Sequence, residues 1–371
     1  MAGSREPRRC LQVQRDPRSL HAARQRPSRP SEKNKYYYHH SAWIRAVAGD
    51  DEGGVAAASS SSRSRRRGGS VVVLPPRRVR GRGAPATAAS FGDNFEITGA
   101  EDHVKTSADG QTWYLYLDNK TGVGFQTKQR YLFGWFSMKL KLVGNDSAGV
   151  VTAYYMCSDV DAAPQRDELD FEFLGNRTGQ PYIIQTNVYH NGVGGREMRH
   201  SLWFDPTADF HTYAILWNTK HIVFFVDKVA IRVYPNDASR PGGGDGFFPA
   251  SKPMYIFSSI WNADDWATRG GLEKTDWARA PFVSSYRDFA ADACAWPVSA
   301  GGATAAPPAC ASATADSWWD QPPAWALDAA QRQDNAWVAR NLLIYDYCDD
   351  RKRFPAPPEE CALRDAATTA S

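Results

Sequence analysis

No stretch of this 371-residue chain is apolar for long enough to cross a membrane; the longest run in its first 90 residues is Val71-Val72-Val73-Leu74. A spanning helix needs about 20 such residues. The start at Met1 also lacks the basic, apolar and small-residue zones of a secretory leader. No Cys-x-x-Cys occurs, and no histidine stands among Cys294, Cys310, Cys348 and Cys361, which speaks against a zinc site. His190, His200, His211 and His221 show no ligand spacing and read as surface or strand residues. There is no spaced Asp/Asn/Gly loop of the kind that binds calcium. Internal repeats are missing, and long amphipathic helices are scarce.

Charge is plentiful but unevenly placed. Of 44 basic and 41 acidic residues, 19 and 6 lie in residues 1–90, which leaves 25 and 35 for the rest. The acidic body argues against nucleic-acid binding by the folded part. The basic head, rich in Arg, Pro, Ser and Ala, carries too little apolar material to bury and reads as a disordered low-complexity tail. A nucleic-acid arm is the rival reading of that head. Hydrophobic content of 42% fits a globular body. The 13 tryptophans offer flat faces that suit sugar stacking, and they equally suit the core of a β-protein.

From Phe91 onward the pattern is one of short strands and turns. Candidates are Trp113–Leu117, Val150–Met156, Leu169–Phe173, Tyr182–Tyr189, Tyr213–Trp217 and Ile222–Val226, with Asn191-Gly192 as a hairpin turn. This predicts an all-β sandwich. Three segments result: a tail at 1–90, a β-domain at 91–290, and an Ala- and Pro-rich extension at 291–371. In the extension we expect a helix at Gln331–Asn341 and a strand at Leu342–Tyr345. Its four cysteines fall in local groups, as disulfide staples of an oxidising compartment do. Cys157, within an aromatic strand, reads as a small buried hydrophobe.

The segment Asp167 to Gly175 carries the chemistry. In a strand, alternate residues face opposite sides. Leu169, Phe171 and Phe173 then face the core, and Glu168, Asp170 and Glu172 form a row on the other side. Like charges about 6.6 Å apart repel, and acids are depleted in strands. A solvated strand face or a calcium site are the bland readings. The sharper one is glycosidic bond chemistry, which uses one carboxyl as nucleophile and one as acid/base. Asp170, lodged between the two glutamates, is expected to keep a neighbour protonated.

Glu168-Leu169-Asp170-Phe171-Glu172-Phe173-Leu174-Gly175-Asn176 resembles the active-site signature of plant xyloglucan endotransglucosylase/hydrolases, in glycoside hydrolase family 16. The resemblance runs from about Phe91 to Cys361. It includes Gly124-Phe125-Gln126-Thr127, Ala148 to Tyr155, Leu202 to Thr207, Ile260 to Gly271, and Tyr345-Asp346-Tyr347-Cys348. It implies a curved two-sheet β-jelly-roll sandwich with a long cleft and a family-specific C-terminal extension. Glu168 is implied as nucleophile, Glu172 as general acid/base and Asp170 as their assistant.

Substrate contacts carry over to Glu172, Gln185, Thr186, Asn187, Gly195, Arg196 and Glu197. Trp261, Trp266, Ala267 and Gly271 would form a stacking platform, and Arg353 would reach the acceptor side. Of the sequons at Asn119, Asn145 and Asn176, the resemblance favours Asn176 for a glycan. It pairs Cys294 with Cys310 and Cys348 with Cys361. No metal or organic cofactor is needed. The expected partners are xyloglucan donor and acceptor chains, with no nucleic acid and no membrane, for a monomer secreted to the cell wall.

The chain departs from the family pattern at its basic head, where a signal peptide is usual; we expect a mispredicted or alternative start. The loop Asn236 to Phe248, with Gly242-Gly243-Gly244, is longer than usual, and Lys228, Ala230 and Cys157 replace more usual Asp, Pro and Ser. Ser258 to Asp264 resembles the transferase branches. A xyloglucan endo-hydrolase and a non-catalytic, lectin-like glucan-binding sandwich are the alternatives.

Overall fold

In the computed structural model, residues 90–158, 164–237, 246–297, 310 and 317–364 are described. The basic head, Cys10 and the tract Gly242-Gly243-Gly244 lie outside the described residues.

The chain opens with a single helical turn, α1 (Phe91–Asn94), followed by β1 (Phe95–Gly99), β2 (Val104–Thr106), β3 (Trp113–Leu117), β4 (Val123–Thr127) and β5 (Arg130–Lys141). Next come β6 (Val150–Cys157), β7 (Glu168–Leu174), β8 (Ile183–Tyr189), β9 (Met198–Ser201) and β10 (His211–Trp217). The series ends with β11 (His221–Val226), β12 (Val229–Pro235), β13 (Tyr255–Asn262), β14 (Phe282–Trp296), helix α2 (Ala329–Asn341) and β15 (Leu343–Asp346). Each strand candidate named above lies within or beside one of these strands.

Two antiparallel sheets form a β-jelly-roll sandwich. One has eight strands in the order β1-β4-β13-β6-β7-β8-β9-β15, and the other has seven in the order β12-β11-β10-β5-β14-β3-β2. The core lies between them, because one alternate set of side chains from each sheet is apolar. Phe171 of β7 meets Phe224 of β11 at 5.2 Å, and Phe173 meets Tyr213 of β10 at 4.6 Å, both edge to face. Such ring pairs add about 0.5–1.5 kcal/mol to the stabilisation from burial alone.

The C-terminal extension belongs to this body. The boundary drawn at 290–291 falls inside β14, and β15 adds to β9 as the last strand of the eight-stranded sheet. Helix α2 starts at a reciprocal cap: Asp328 Oδ1 accepts from Gln331 N at 2.8 Å, and Gln331 Oε1 accepts from Asp328 N at 2.9 Å. Its Asn335 Nδ2 donates to Ala230 O of β12 at 2.9 Å. Disulfides join Cys294 to Cys310 and Cys348 to Cys361. Cys157 is fully buried, as expected of a small residue within an aromatic strand.

The Asn191-Gly192 turn has positive φ at both residues, 49° and 78°, the conformation of a two-residue hairpin turn. A Cβ on Gly192 would lie 1.7 Å from Pro164 O, so glycine is required for the turn to press on the segment leading into β7. Its backbone N–H donates to Arg166 O at 2.7 Å.

Candidate active site

The registers around β7 decide which side chains share a face. Glu168, Asp170 and Glu172 stand opposite Tyr189, Asn187 and Gln185 of β8 on one side, and Cys157, Tyr155 and Ala153 of β6 on the other. From β6 the same face continues to Tyr255, Phe257, Ser259 and Trp261 of β13. From β8 it continues to Arg199 of β9, beside which Tyr345 of β15 pairs. The eight-stranded sheet therefore has an apolar inner face and an acid face that collects carboxylates, amides, one arginine and several aromatic rings. Leu169, Phe171 and Phe173 lie on the inner face, within the core.

All three acids are buried, at 0%, 0% and 1% exposure. Burial without compensation disfavours a charged carboxylate, so their partners decide which of them ionise. Glu168 Oε2 accepts from Arg166 Nε at 2.8 Å, while Oε1 takes no hydrogen bond from a nitrogen donor among the described residues. Burial pushes Glu168 up, and the Arg166 cation pulls it back. Neither oxygen of Asp170 accepts from a nitrogen or hydroxyl donor among the described residues, and its carboxyl lies against that of Glu168. Burial holds it well above the usual aspartate range, and the charges of Glu168 and Glu172 add to that. Burial and both flanking glutamates thus push Asp170 toward its protonated form. Sequence reasoning expected Asp170 to act by keeping a neighbour protonated, and its place between two glutamates puts it against both.

Glu172 is pushed up to about 7, chiefly by burial, with Glu197 and Glu168 adding to the rise. A hydrogen bond from Gln185 Nε2 to Glu172 Oε2 and the charge of Arg199 act against it. Gln185 is fixed in turn, because its Oε1 accepts from Arg199 Nε at 2.7 Å. The amide orientation follows from that pairing, so Gln185 donates to Glu172 rather than accepting from it. One end of the row holds a carboxylate paired with a cation, and the other holds a carboxyl poised to give and take a proton near neutrality.

The remaining predicted contacts divide into two groups. Gln185 and Asn187 share the acid face, and Asn187 Oδ1 accepts from Val188 N and Arg196 N. Glu197 accepts from Arg353 Nη1 at 2.6 Å, and this pair lies on the Glu172 side of the site. Gly195 leaves room for Arg353, since a Cβ there would stand 3.2 Å from Arg353 Nη2. Trp261 and Trp266 pack around Val151, Leu174 and Ala267, at the end of the face beyond Glu172. Gly271 turns the chain close against Asp265.

Two predicted residues sit elsewhere. Thr186 lies on the inner face, where its Oγ1 accepts from buried Arg232 Nη1 at 2.9 Å. Strand alternation between Gln185 and Asn187 requires that placement. The Arg196 guanidinium is buried and donates from Nε to Glu360 Oε1 and from Nη1 to Val193 O, so it ties β9's entry to the extension. Asn176 donates from Nδ2 to Pro181 O at 2.9 Å in the turn after β7.

Sequence reasoning missed Arg166, Arg199, Tyr189, Tyr155 and Phe257. Arg166 was within reach, since extending the alternation one step before Glu168 gives positions 166, 168, 170 and 172. The others required strand registers. Tyr155 and Phe257 stack at 5.0 Å and 13° on the face beside Asp170.

Residues 91–279 match the family model of glycosyl hydrolases family 16, and residues 313–361 match that of the xyloglucan endo-transglycosylase (XET) C-terminus. The chain is 66% identical over 274 residues to a probable xyloglucan endotransglucosylase/hydrolase protein 8 of Arabidopsis thaliana, covering 74% of this chain and 87% of that protein. It is 53% identical over 272 residues to xyloglucan endotransglucosylase protein 34 of Populus tremula x Populus tremuloides, covering 73% and 87%. Among solved structures, a Bacillus licheniformis beta-glucanase aligns over 52% of this chain and 89% of its own, at 22% identity and a TM-score of 0.42.

Proposed function

The chain belongs to glycosyl hydrolases family 16, among the xyloglucan endotransglucosylase/hydrolases, and from that premise we propose that it cuts the β-1,4-glucan backbone of xyloglucan and joins the cut end to another xyloglucan chain. The observation that carries the mechanism is the polarised acid row, with Glu168 paired to a cation at one end and Glu172 near neutrality at the other.

Glu172 in its protonated form gives its proton to the glycosidic oxygen as the bond to the anomeric carbon breaks. Glu168 Oε1 attacks that carbon and forms a glycosyl-enzyme, with Oε2 still held by Arg166. The leaving glucan end departs. A 4-hydroxyl of a second glucan then enters, Glu172 takes its proton, and the oxygen displaces Glu168. Configuration at the anomeric carbon is retained through two inversions. Asp170, carrying a proton between the two, avoids a third charge in the row and presents a donor toward Glu168. Water in place of the acceptor gives hydrolysis.

On this reading Gln185, Asn187, Glu197 and Arg353 hold sugar hydroxyls near the cut, and Trp261 and Trp266 stack on rings. The protein acts as a monomer in the plant cell wall, with xyloglucan donor and acceptor as partners, no metal or organic cofactor, a glycan on Asn176, and no nucleic-acid or membrane role. The test is product sizing of xyloglucan with a fluorescent xyloglucan oligosaccharide as acceptor. Label should enter polymer-length product. Steady loss of chain length despite abundant acceptor would assign hydrolysis instead. Glu168→Ala should end turnover and keep glucan binding; full turnover in that variant rejects the mechanism.

A further inference from the structure

We propose that Arg166 is the positioning residue of the nucleophile: it grips one carboxylate oxygen of Glu168 and leaves the other turned to the anomeric carbon. The inference rests on the assignment of Glu168 as nucleophile. The Arg166 side chain is 5% exposed, and its Nε donates to Glu168 Oε2 at 2.8 Å, so the pair is screened little by solvent. The partner oxygen, Oε1, is buried and takes no hydrogen bond from a nitrogen donor among the described residues, and the Asp170 carboxyl lies against Glu168. A carboxylate gripped through one oxygen by a buried guanidinium has a restrained torsion, which orients its other oxygen.

The cation is itself locked. Its guanidinium carbon lies 4.8 Å from the centre of the Tyr189 ring, the residue directly across the ladder from Glu168. Tyr189 is backed by Gly194, where a Cβ would come within 2.3 Å of the ring. The Arg166 backbone is pinned by the Gly192 N–H, and Gly192 sits where only a glycine fits. The Asn191-Gly192 turn therefore sets Arg166, the Tyr189 ring carries its guanidinium, and the guanidinium sets Glu168.

The groups around Glu168 make a cation necessary. On its own strand are Asp170 and Glu172. Across the ladders stand Tyr189 of β8 and Cys157 of β6, with Tyr155 of β6 and Asn187 of β8 one step further. Arg199 of β9 is engaged with Gln185, and Arg353 with Glu197, both toward Glu172. Among these neighbours Arg166 alone opposes the burial of Glu168 with a positive charge. Asp167, next to it in sequence, is occupied by Lys252 and by the Asn191 N–H.

The sign follows directly. Arg166 favours the ionised form of Glu168, so removing it raises the pH at which Glu168 becomes a competent nucleophile. A nearby opposite charge moves a carboxyl by about 1–3 units. The experiment measures transfer kcat and KM across pH 4–8 for wild type, Arg166→Lys and Arg166→Met, with thermal melts to verify folding. Arg166→Met should shift the acid limb upward by about one pH unit or more. It should cut kcat by about a hundredfold and leave KM within about threefold. Arg166→Lys should return the limb most of the way, since it restores the charge without the fork. An acid limb in Arg166→Met that overlays wild type, or Lys and Met variants alike in profile, overturns the proposal. Glu168→Ala run alongside separates the failures: if it is dead while Arg166→Met keeps the wild-type limb, only the role of Arg166 falls.

Discussion

The two faces of β7 are built from one seven-residue strand and behave as opposites. On the inner face Leu169, Phe171 and Phe173 are wholly buried among rings of the facing sheet. Each such apolar side chain stabilises the fold by about 1.5–3 kcal/mol. On the outer face Glu168, Asp170 and Glu172 are just as buried, yet burial pushes all three carboxyls upward. There, burial works against folding at neutral pH, since a group whose pKa is raised in the native state binds protons more readily folded than unfolded. The lesson is that equal burial carries opposite energetic signs on the two sides, and that the face which costs stability is the one with the chemistry.

Substitutions on the two faces should separate activity from stability. Glu168→Ala should lower transfer by about 10⁴-fold or more and also lower the melting temperature, since it leaves Arg166 buried without its carboxylate; transfer near the wild-type level would remove Glu168 from the chemistry. Phe171→Ala should cost about 3–5 kcal/mol in denaturant unfolding, and the molecules that remain folded should keep activity within a few-fold of wild type. Asp170→Asn keeps a donor in the middle of the row and should lose about ten- to a hundredfold in kcat, less than Asp170→Ala. Equal losses in the two variants would mean that the proton on Asp170 is idle.

The gentlest test concerns pH. Activity should fall as pH rises through about 7, where Glu172 loses its proton. Gln185→Met removes the hydrogen bond that holds Glu172 down, so its basic limb should move to higher pH; movement to lower pH would reverse the assigned sign. In stability the same group works the other way. The folded pKa of Glu172 lies above its unfolded value of 4.5, so stability is lost as pH climbs from about 4.5 to 7. Glu172→Gln should therefore raise the melting temperature at pH 8 and leave it nearly unchanged at pH 4.

Much of this was legible in one dimension. The alternation at 168–173 predicts one apolar side and one acid side, and both faces of β7 follow from a period of two. Asn191-Gly192 marks a hairpin because only residues tolerant of positive φ fit there. Thr186 shows the limit of transferring motif positions without geometry: it lies between Gln185 and Asn187 and therefore points to the inner face, toward Arg232. Arg196 shows the same, since its guanidinium is claimed by Glu360, 164 residues away in sequence.

By itself the sequence determined the strands, their two-faced character, the hairpin turn and the identity of the acid row, because these depend on neighbours within a few residues. Only the tertiary structure decided how far, and by what, each carboxyl of the row is pushed from its ordinary range. Those shifts depend on burial and on Arg166, Gln185, Arg199 and Glu197, which reach the acids from the strand's start, from neighbouring strands and from the loop before β9. Electrostatic work depends on distance in space and on exclusion of water, and neither quantity is written along the chain.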